Sequence, residues 1–428
     1  AVVSEAAEFR TRATNVVVAD ARVALADLAA AFYQHPARHL KIAGVTGTNG
    51  KTTTAFLLKH ICEVTMHRCG LIGTVRYEVG DRILPAARTT PESLDLHDLL
   101  WQMRSAGCKA VAMEVSSHAL MQERVRGVEF DAAIFTNLTQ DHLDYHKTME
   151  EYFTAKRRLF HGTGASSPRT CVINRDDEYG KQLSGLAERT LTYGLEPGAD
   201  VSTRKPSLTF SGIECTVETP IGKIEIRSKL VGRTNVYNIL AAIAAGVALG
   251  LSREIIAAGI ANLAAVPGRF ERIDMGQPFL VVVDYAHTDD ALRNLLDTAK
   301  DLNPAGRIIT LFGCGGDRDR TKRPLMGEAA GRGSDVVVLT SDNPRSEDPL
   351  LIINDAIVGL QRTKAKCLIE PDRQRAIEIA LDQARSGDIV LLAGKGHETQ
   401  QVMRDRTITF DDREVARSIL GKRGYGGD

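Results

Sequence analysis

A surplus of one charge, a long apolar run and paired cysteines are all missing from this chain, and each absence excludes a class of protein. Lys plus Arg equals Asp plus Glu at 54 each. No overall field therefore draws the molecule to nucleic acid or to an anionic membrane, and neither is expected as a partner, although a local basic pocket stays open. The seven cysteines (Cys62, Cys69, Cys108, Cys171, Cys215, Cys314 and Cys367) are scattered, odd in number and without a CxxC pair. That pattern suggests neither a disulfide framework nor a zinc site, and it fits a reducing cytoplasm. The longest apolar stretch, residues 239–251, falls well short of the ~20 residues a bilayer helix needs. The opening AVVSEAAEFR has no basic segment ahead of an apolar one, so it does not read as a signal peptide. It also lacks an initiator Met and opens mid-pattern, which suggests a start inside a longer natural protein.

What is present is ordinary globular material. The 428 residues are 43% apolar and 25% charged, enough for two or three domains with ample cores. Residues 1–38 hold a short strand at 15–18 and an Ala-rich helix at 21–33, too little to bury a core alone. From Leu40 onward LKIAGV reads as a strand, GTNG as a turn and KTTTAFLLKHICEV as a helix. Buried strands follow at 109–115, 131–137 and 170–174, with helical segments between them. That alternation predicts a parallel sheet covered by helices. Residues 207–231 alternate with period two instead, turning at 211–212 and 220–222, and read as an antiparallel ribbon attached to that core. A long Ala-rich helix spans 235–249. Near residue 267 the alternation restarts, with FLVVVDYA, RIITLFG, DVVVLTSD and DIVLLAGKG as strands of a second doubly wound unit. The predicted class is α/β: a central P-loop-type domain with a mainly parallel sheet over 39–267 and a Rossmann-like domain over 268–428.

The strongest local chemical signal is GVTGTNGKTT at 44–53. A Gly-rich turn between a strand and a helix lets backbone N–H groups wrap phosphate oxygens at the positive helix end. Gly47, Thr48, Asn49, Gly50, Lys51, Thr52 and Thr53 are therefore expected to hold ATP or GTP. Lys51 would reach the β- and γ-phosphates and the Thr52 hydroxyl would ligate Mg²⁺. Val45 stands where the usual motif has its first glycine. Glu114 ends an apolar strand, where ligand sites of open α/β sheets gather, and is either a strand-end ion pair or a further oxygen ligand of Mg²⁺. His142 follows another strand end and is either structural or a ligand of a second metal. TMEE at 148–151 reads as a capping box that opens a helix to about Phe160. On that helix Lys156 shares a stripe with Tyr152, Phe153 and Phe160. Either its head snorkels to solvent, or it is buried, with a lowered pKa and a larger neutral fraction able to react with CO₂.

The segment TGTNGKTT resembles the phosphate loop of the Mur ligases and folylpolyglutamate synthases, which form amide bonds through acyl phosphates. The likeness continues in order through RTTP at 88–91, MEVSSH at 113–118, TNLT at 136–139, DHLDYH at 141–146, NVYN at 235–238, PGRFE at 267–271, DYAH at 284–287, GCGGDR at 313–318 and GKGHE at 394–398. It covers roughly residues 20 to 420, and so many ordered matches are far more specific than the loop alone. The resemblance implies an ATP- and Mg²⁺-dependent ligase in which Lys51, Glu114, His142 and Lys156 carry the chemistry. It further implies that Thr52, Glu114, His142 and Lys156 surround the metal, with a CO₂-derived carbamate on Lys156. Asn238, Arg269 and Asp284 match nucleotide-pocket positions, although near a hinge they also suit inter-domain packing. Thr89, Thr90, Ser116, Gln122 and Arg124 match positions that hold a UDP-muramoyl dipeptide, where hydroxyls equally suit helix caps.

Amino-acid choice is expected in the C-terminal domain. Asp342, Asn343, Pro344 and Arg345 resemble the signature of family members that select meso-diaminopimelate, with Arg318, Gly394 and Glu398 at other matching positions. That substrate carries a second amino-acid head, whose carboxylate needs a cation and whose ammonium needs an acid; Arg345 offers a bidentate fork, unless it is the surface Arg of an N-P turn. The implied reaction adds meso-diaminopimelate to UDP-N-acetylmuramoyl-L-alanyl-D-glutamate for the bacterial cell wall. The alternatives are a lysine-adding relative, a folylpolyglutamate synthase or a non-catalytic nucleotide-binding scaffold. The family's N-terminal uridine-binding domain is expected here only as its last stretch, residues 1–38.

Overall fold

The computed structural model describes residues 2–4, 12–65, 68–183, 185–186 and 189–426. Lys41–Thr46, Cys69–Ile72, Ala110–Glu114, Ala132–Phe135 and Thr170–Asn174 are buried at almost every position. Strands apolar on both faces suit parallel pairing beneath helices on each side. They pair in parallel, with Thr190–Gly194, in the order Thr190–Gly194, Thr170–Asn174, Ala132–Phe135, Lys41–Thr46, Ala110–Glu114, Cys69–Ile72. Successive side chains go to opposite faces. Val45, Ala112, Ile134 and Val172 join one core with helices Lys51–Glu63 and Arg233–Ala248. Ile42, Val111, Phe135 and Ile173 join the other with helices Ser93–Ser105 and Met149–His161.

Antiparallel strands finish both edges of this sheet. Arg76–Val79 and Arg82–Pro85 extend one edge, outside the sequence reading. At the other, Gly212–Glu218 pairs with Val201–Thr203, Ser207–Thr209 and Ile224–Ser228, so the expected ribbon is built into the sheet. The expected helix at 235–249 is Arg233–Ala248, and the helix at 21–33 is Ala21–Phe32, which packs on Ser93–Ser105. The strand at 15–18 is Asn15–Val17, paired in parallel with Val2–Ser4.

The second sheet contains all four strands expected after residue 267. Leu280–Asp284, Ile389–Ala393, Ile308–Phe312, Val336–Leu339 and Lys366–Ile369 run parallel in that order, and Glu271–Ile273 closes the first edge antiparallel. Residues following the strand ends of both sheets line one cleft between them. Among the described residues no helix is long and apolar enough to cross a membrane.

Candidate active site

Strand Lys41–Thr46 has neighbours on both sides, so the chain leaves it in the middle of the sheet, where ligand crevices of open α/β sheets form. It turns at Gly47, whose φ is 142° and whose absent Cβ would run into the Thr136 hydroxyl. The neighbouring strand end fastens the loop. Thr48 N donates to Asn137 O at 2.8 Å, Asn49 N to Asn137 Oδ1 at 2.9 Å, and the Thr136 hydroxyl to Asn49 O at 2.6 Å. Helix Lys51–Glu63 then starts at Gly50 without a side-chain cap, which leaves its first N–H groups to an anion. The Lys51 Nζ folds back onto the loop itself, donating to Gly47 O at 3.0 Å and Thr48 O at 2.7 Å. Burial and Arg269 push its ammonium below the ordinary lysine range, against Glu114 and Asp141.

Thr52 Oγ1 accepts from Arg269 Nη2 at 3.2 Å. Glu114 is buried and accepts from Thr74 N at 2.8 Å and from the Thr74 hydroxyl at 3.0 Å, partners that are not cations. Its two oxygens offer about four acceptor sites, so it keeps capacity for a hard cation. Among the described residues no three His, Cys, Asp or Glu side chains gather as a metal cluster. A buried carboxylate and a threonine hydroxyl are nonetheless donors of the type Mg²⁺ takes when phosphates and waters complete its shell. His142 has a left-handed backbone (φ 55°), and its Nε2 lies 3.3 Å from Asp141 with its ring edge-on to His118. Asp141, inside the DHLDYH segment but not singled out there, is half-buried and lies 3.9 Å from Lys322, which opens the helix Lys322–Gly333. Burial alone would raise its carboxyl, but His142, His287 and Lys322 hold it below the usual carboxylate range.

Helix Met149–His161 is capped as expected on one side, with Thr148 Oγ1 accepting from Glu151 N at 3.1 Å. The reciprocal half of the capping box gives way, because Thr148 N bonds His146 O at 2.7 Å. Lys156 is 1% exposed, its Nζ 2.8 Å from Gly47 O and 4.5 Å from the centre of the Tyr152 ring. The snorkelling alternative is therefore wrong: the amine is inside. Burial first, then the Lys51 charge, drive it well below the ordinary lysine range. The Tyr152 hydroxyl in turn meets Thr48 Oγ1 at 3.3 Å, a contact no sequence pattern signals.

The cleft between the sheets, about 350 Å³, is lined by Asn49, Gly50, Thr52, Asn238, Arg269 and Asp284 among others. Arg269 stacks 4.6 Å over the Tyr285 ring and keeps a buried Nε without a partner. Asp284 accepts from Phe270 N at 2.7 Å, and Asn238 donates to Asn235 Oδ1 at 2.9 Å. Burial raises the Asp284 carboxyl, with Arg269 opposing. Asn49 Nδ2 donates to Asp290 Oδ2 at 2.9 Å and so ties the loop to the helix Asp289–Leu302. These residues thus line a pocket and pack between sheets at once.

The five dipeptide candidates form one network around Glu114. Thr90 Oγ1 donates to Glu114 O at 2.9 Å and accepts from Ser116 N at 3.1 Å. Arg124 donates to Thr90 O at 3.1 Å and to Gln122 Oε1 at 2.5 Å, while Thr89 meets Thr74 at 3.0 Å. Ser116 also caps helix Ser117–Met121, so the cap alternative holds for that hydroxyl.

A second cavity, about 190 Å³, gathers Asp141, His142, Arg318, Asp342, Asn343, Arg345, Gly394 and Glu398. Pro344 is buried outside this lining. Arg345 is half-buried with φ 53°, and its Nη1 donates to Gly316 O at 2.6 Å. Burial and neighbouring Arg318 lower its pKa. Asn343 donates to Glu398 Oε2 at 2.9 Å. Lys395, inside the GKGHE segment but not singled out there, is fully buried and reaches Glu398 at 3.0 Å, Asn343 Oδ1 at 3.2 Å and Gln400 O at 2.6 Å. Burial raises the Asp342 carboxyl, and Arg373 and Lys395 oppose it. The cavity therefore offers guanidinium and carboxylate groups side by side, the complement of a zwitterion.

Comparison with known proteins agrees with this geometry. The Mur ligase middle domain matches residues 45–246, and the Mur ligase, glutamate ligase domain matches residues 268–396. The UDP-N-acetylmuramoyl-L-alanyl-D-glutamate--2,6-diaminopimelate ligase of Solibacter usitatus (strain Ellin6076) is 55% identical over 413 residues, 96% of this chain and 83% of the relative. The ligase of the same name from Geobacillus kaustophilus (strain HTA426) is 50% identical over 416 residues, 96% of this chain and 84% of the relative. A solved structure with that ligase's name superposes with a TM-score of 0.68 at 34% identity, covering 99% of this chain and 87% of the other. Mycobacterium tuberculosis folylpolyglutamate synthase complexed with ADP and AMPPCP superposes with a TM-score of 0.70 at 17% identity, covering 95% and 96%, a likeness of fold alone. With both domain models matched and relatives half-identical along nearly its whole length, the chain belongs to the Mur ligase family.

Proposed function

We propose that this chain is an ATP-dependent ligase that adds meso-diaminopimelate to UDP-N-acetylmuramoyl-L-alanyl-D-glutamate in peptidoglycan precursor synthesis. The observation that carries this reading is the cavity in which Arg345 and Arg318 stand beside Asp342 and Glu398. A distal carboxylate meets the guanidinium fork and a distal ammonium meets the acids, whereas lysine would leave the fork unpaired. The relatives that match nearly the whole chain carry this activity in their names. Labour divides between the two sheets: residues 39–267 bind ATP and the UDP-dipeptide, and residues 268–428 bind the incoming amino acid.

An oxygen of the D-glutamyl side-chain carboxylate takes the γ-phosphoryl group of ATP, and ADP leaves. The amine of meso-diaminopimelate attacks the acyl carbon, the bond to phosphate breaks, and the amine loses a proton. The chain supplies positioning and charge, not a nucleophile. Gly47 to Thr53 cradle the phosphates, and Lys51 swings from its two carbonyls to the transferring group. Asn238, Arg269 and Asp284 hold the nucleoside and phosphates, and Thr89, Thr90, Ser116, Gln122 and Arg124 hold the dipeptide. Thr52, Glu114 and His142, with a carbamate on Lys156, would hold Mg²⁺, which neutralises phosphate charge when bound. The carbamate is supported by the buried Lys156 amine beside Lys51: an anion at that position replaces repulsion between two cations with attraction. We place the enzyme in the cytoplasm, where ATP is supplied and its unpaired cysteines stay reduced.

Phosphate release from ATP tests the reading. It is expected only when the UDP-dipeptide and meso-diaminopimelate are both present. Release that ignores either one contradicts it.

A further inference from the structure

Arg373 heads the helix Arg373–Gln383, and its side chain has no exposure at all. Its guanidinium makes a two-pronged pair with the equally buried Asp412, Nε to Oδ1 at 2.8 Å and Nη2 to Oδ2 at 2.7 Å. The remaining N–H groups do something an ion pair does not require. Nη1 donates to Ser341 O at 3.2 Å and Nη2 to Ala393 O at 3.0 Å. These carbonyls follow Val336–Leu339 and end Ile389–Ala393, two strands that are not neighbours, because Ile308–Phe312 lies between them. The next residue after each carbonyl is Asp342 in one case and Gly394 in the other, and both line the amino-acid cavity.

We propose that Arg373, oriented by Asp412, is a positioning residue for amino-acid recognition: it staples the segment that begins at Asp342 to the segment that begins at Gly394 and so sets the distance between Arg345 and Glu398. The inference rests on the reading of that cavity as the amino-acid site. Arginine suits the task because its planar fork carries five donors in fixed directions, whereas a lysine offers one compact ammonium. The stapled segments also meet directly beyond the staple, where Gln401 Nε2 donates to Asp342 O at 2.7 Å and Val402 N to Asn343 Oδ1 at 3.0 Å. Arg373 has an electrostatic part as well, since it is the foremost charge opposing the effect of burial on the Asp342 carboxyl.

A buried ion pair that serves stability alone is replaceable by apolar residues of similar size. The double variant R373M/D412L makes that replacement and removes both carbonyl contacts. It is expected to fold with a thermal midpoint near the wild type, and to show a KM for the amino acid raised about tenfold or more, with the KM values for ATP and the UDP-dipeptide little changed. R373K, which keeps a charge against Asp412 but has too few donors to make the two-pronged pair and reach both carbonyls, is expected to fold and to show a smaller rise in the same KM. A folded R373M/D412L, or a folded R373K, with a wild-type KM for the amino acid overturns the proposal. Wild-type preference for an amino acid other than meso-diaminopimelate sinks the reading of the cavity's ligand instead. The KM for whichever amino acid is used still reports on the staple.

Discussion

After burial, the Lys51 charge lowers the readiness of Lys156 to carry its own, and both amines donate to Gly47 O. Two cations at one carbonyl, with Lys156 fully buried, are costly unless an anion joins them. Lys156→Met keeps the bulk of the stem and removes the amine, so the fold is expected to stay intact while turnover falls about 10²-fold or more. Turnover near wild type would show that the amine has no part in the reaction. Lys51→Ala is expected to cost a similar factor in kcat, because one preorganised charge at the transferring phosphoryl group is lost. An unchanged kcat moves the nucleotide site elsewhere. At this scale the sequence exposed residues whose neighbours are close along the chain. Tyr152 and Phe160, one helical turn away, marked Lys156 but left burial and snorkelling open, and the family resemblance favoured burial. The Asp141–Lys322 approach and the Arg373 staple are long-range contacts, and no local spacing encodes them.

Elements were legible in proportion to their burial. Strands buried on both faces stand out as continuous apolar runs, and Ile308–Phe312 and Ile389–Ala393 are buried throughout. Arg82–Pro85 and Lys366–Ile369 are largely exposed edge strands, made by pairing more than by hydrophobic pattern, and the sequence gives them no signature. Helix Ser117–Met121 is a single capped turn or little more, below the length at which periodicity can be read. The helix that leaves the phosphate loop is seated by a close approach that the sequence marks only with a glycine. At Gly259, in helix Arg253–Asn262, a Cβ would intrude on the Ile61 backbone of helix Lys51–Glu63. Gly259→Ala is expected to destabilise the protein by about 1–3 kcal/mol despite the better helix propensity of alanine, read as a lower thermal midpoint. A midpoint at or above the wild type would mean that the helices have room to part.

The whole molecule works because residues after the strand ends of two sheets meet. Asn49 reaches Asp290, Thr52 reaches Arg269 and Asp141 faces Lys322, so the phosphate loop and the second sheet are joined by polar contacts around the cleft. Such contacts can be exchanged for contacts to substrates, which a hydrophobic seam could not do. The sequence foretold two sheets, because apolar runs restart after residue 267, but not the edge strand Glu271–Ile273. It said nothing of how they face each other, which depends on pairs such as Asn49 and Asp290, 241 positions apart.

The charges of the second cavity are expected to choose the amino acid. The measurement is a competition: ATP, the UDP-dipeptide and equal concentrations of meso-diaminopimelate and L-lysine, with products distinguished by mass, for the wild type and for Arg345→Ala. A guanidinium that a substrate covers without pairing costs about 2–5 kcal/mol, roughly 30-fold to several-thousand-fold in discrimination. The account predicts that the wild type makes the meso-diaminopimelate product by at least that lower factor, and that Arg345→Ala loses much of the advantage while its KM for ATP stays near wild type. A wild type that prefers lysine, or an Arg345→Ala variant with undiminished preference, would contradict it.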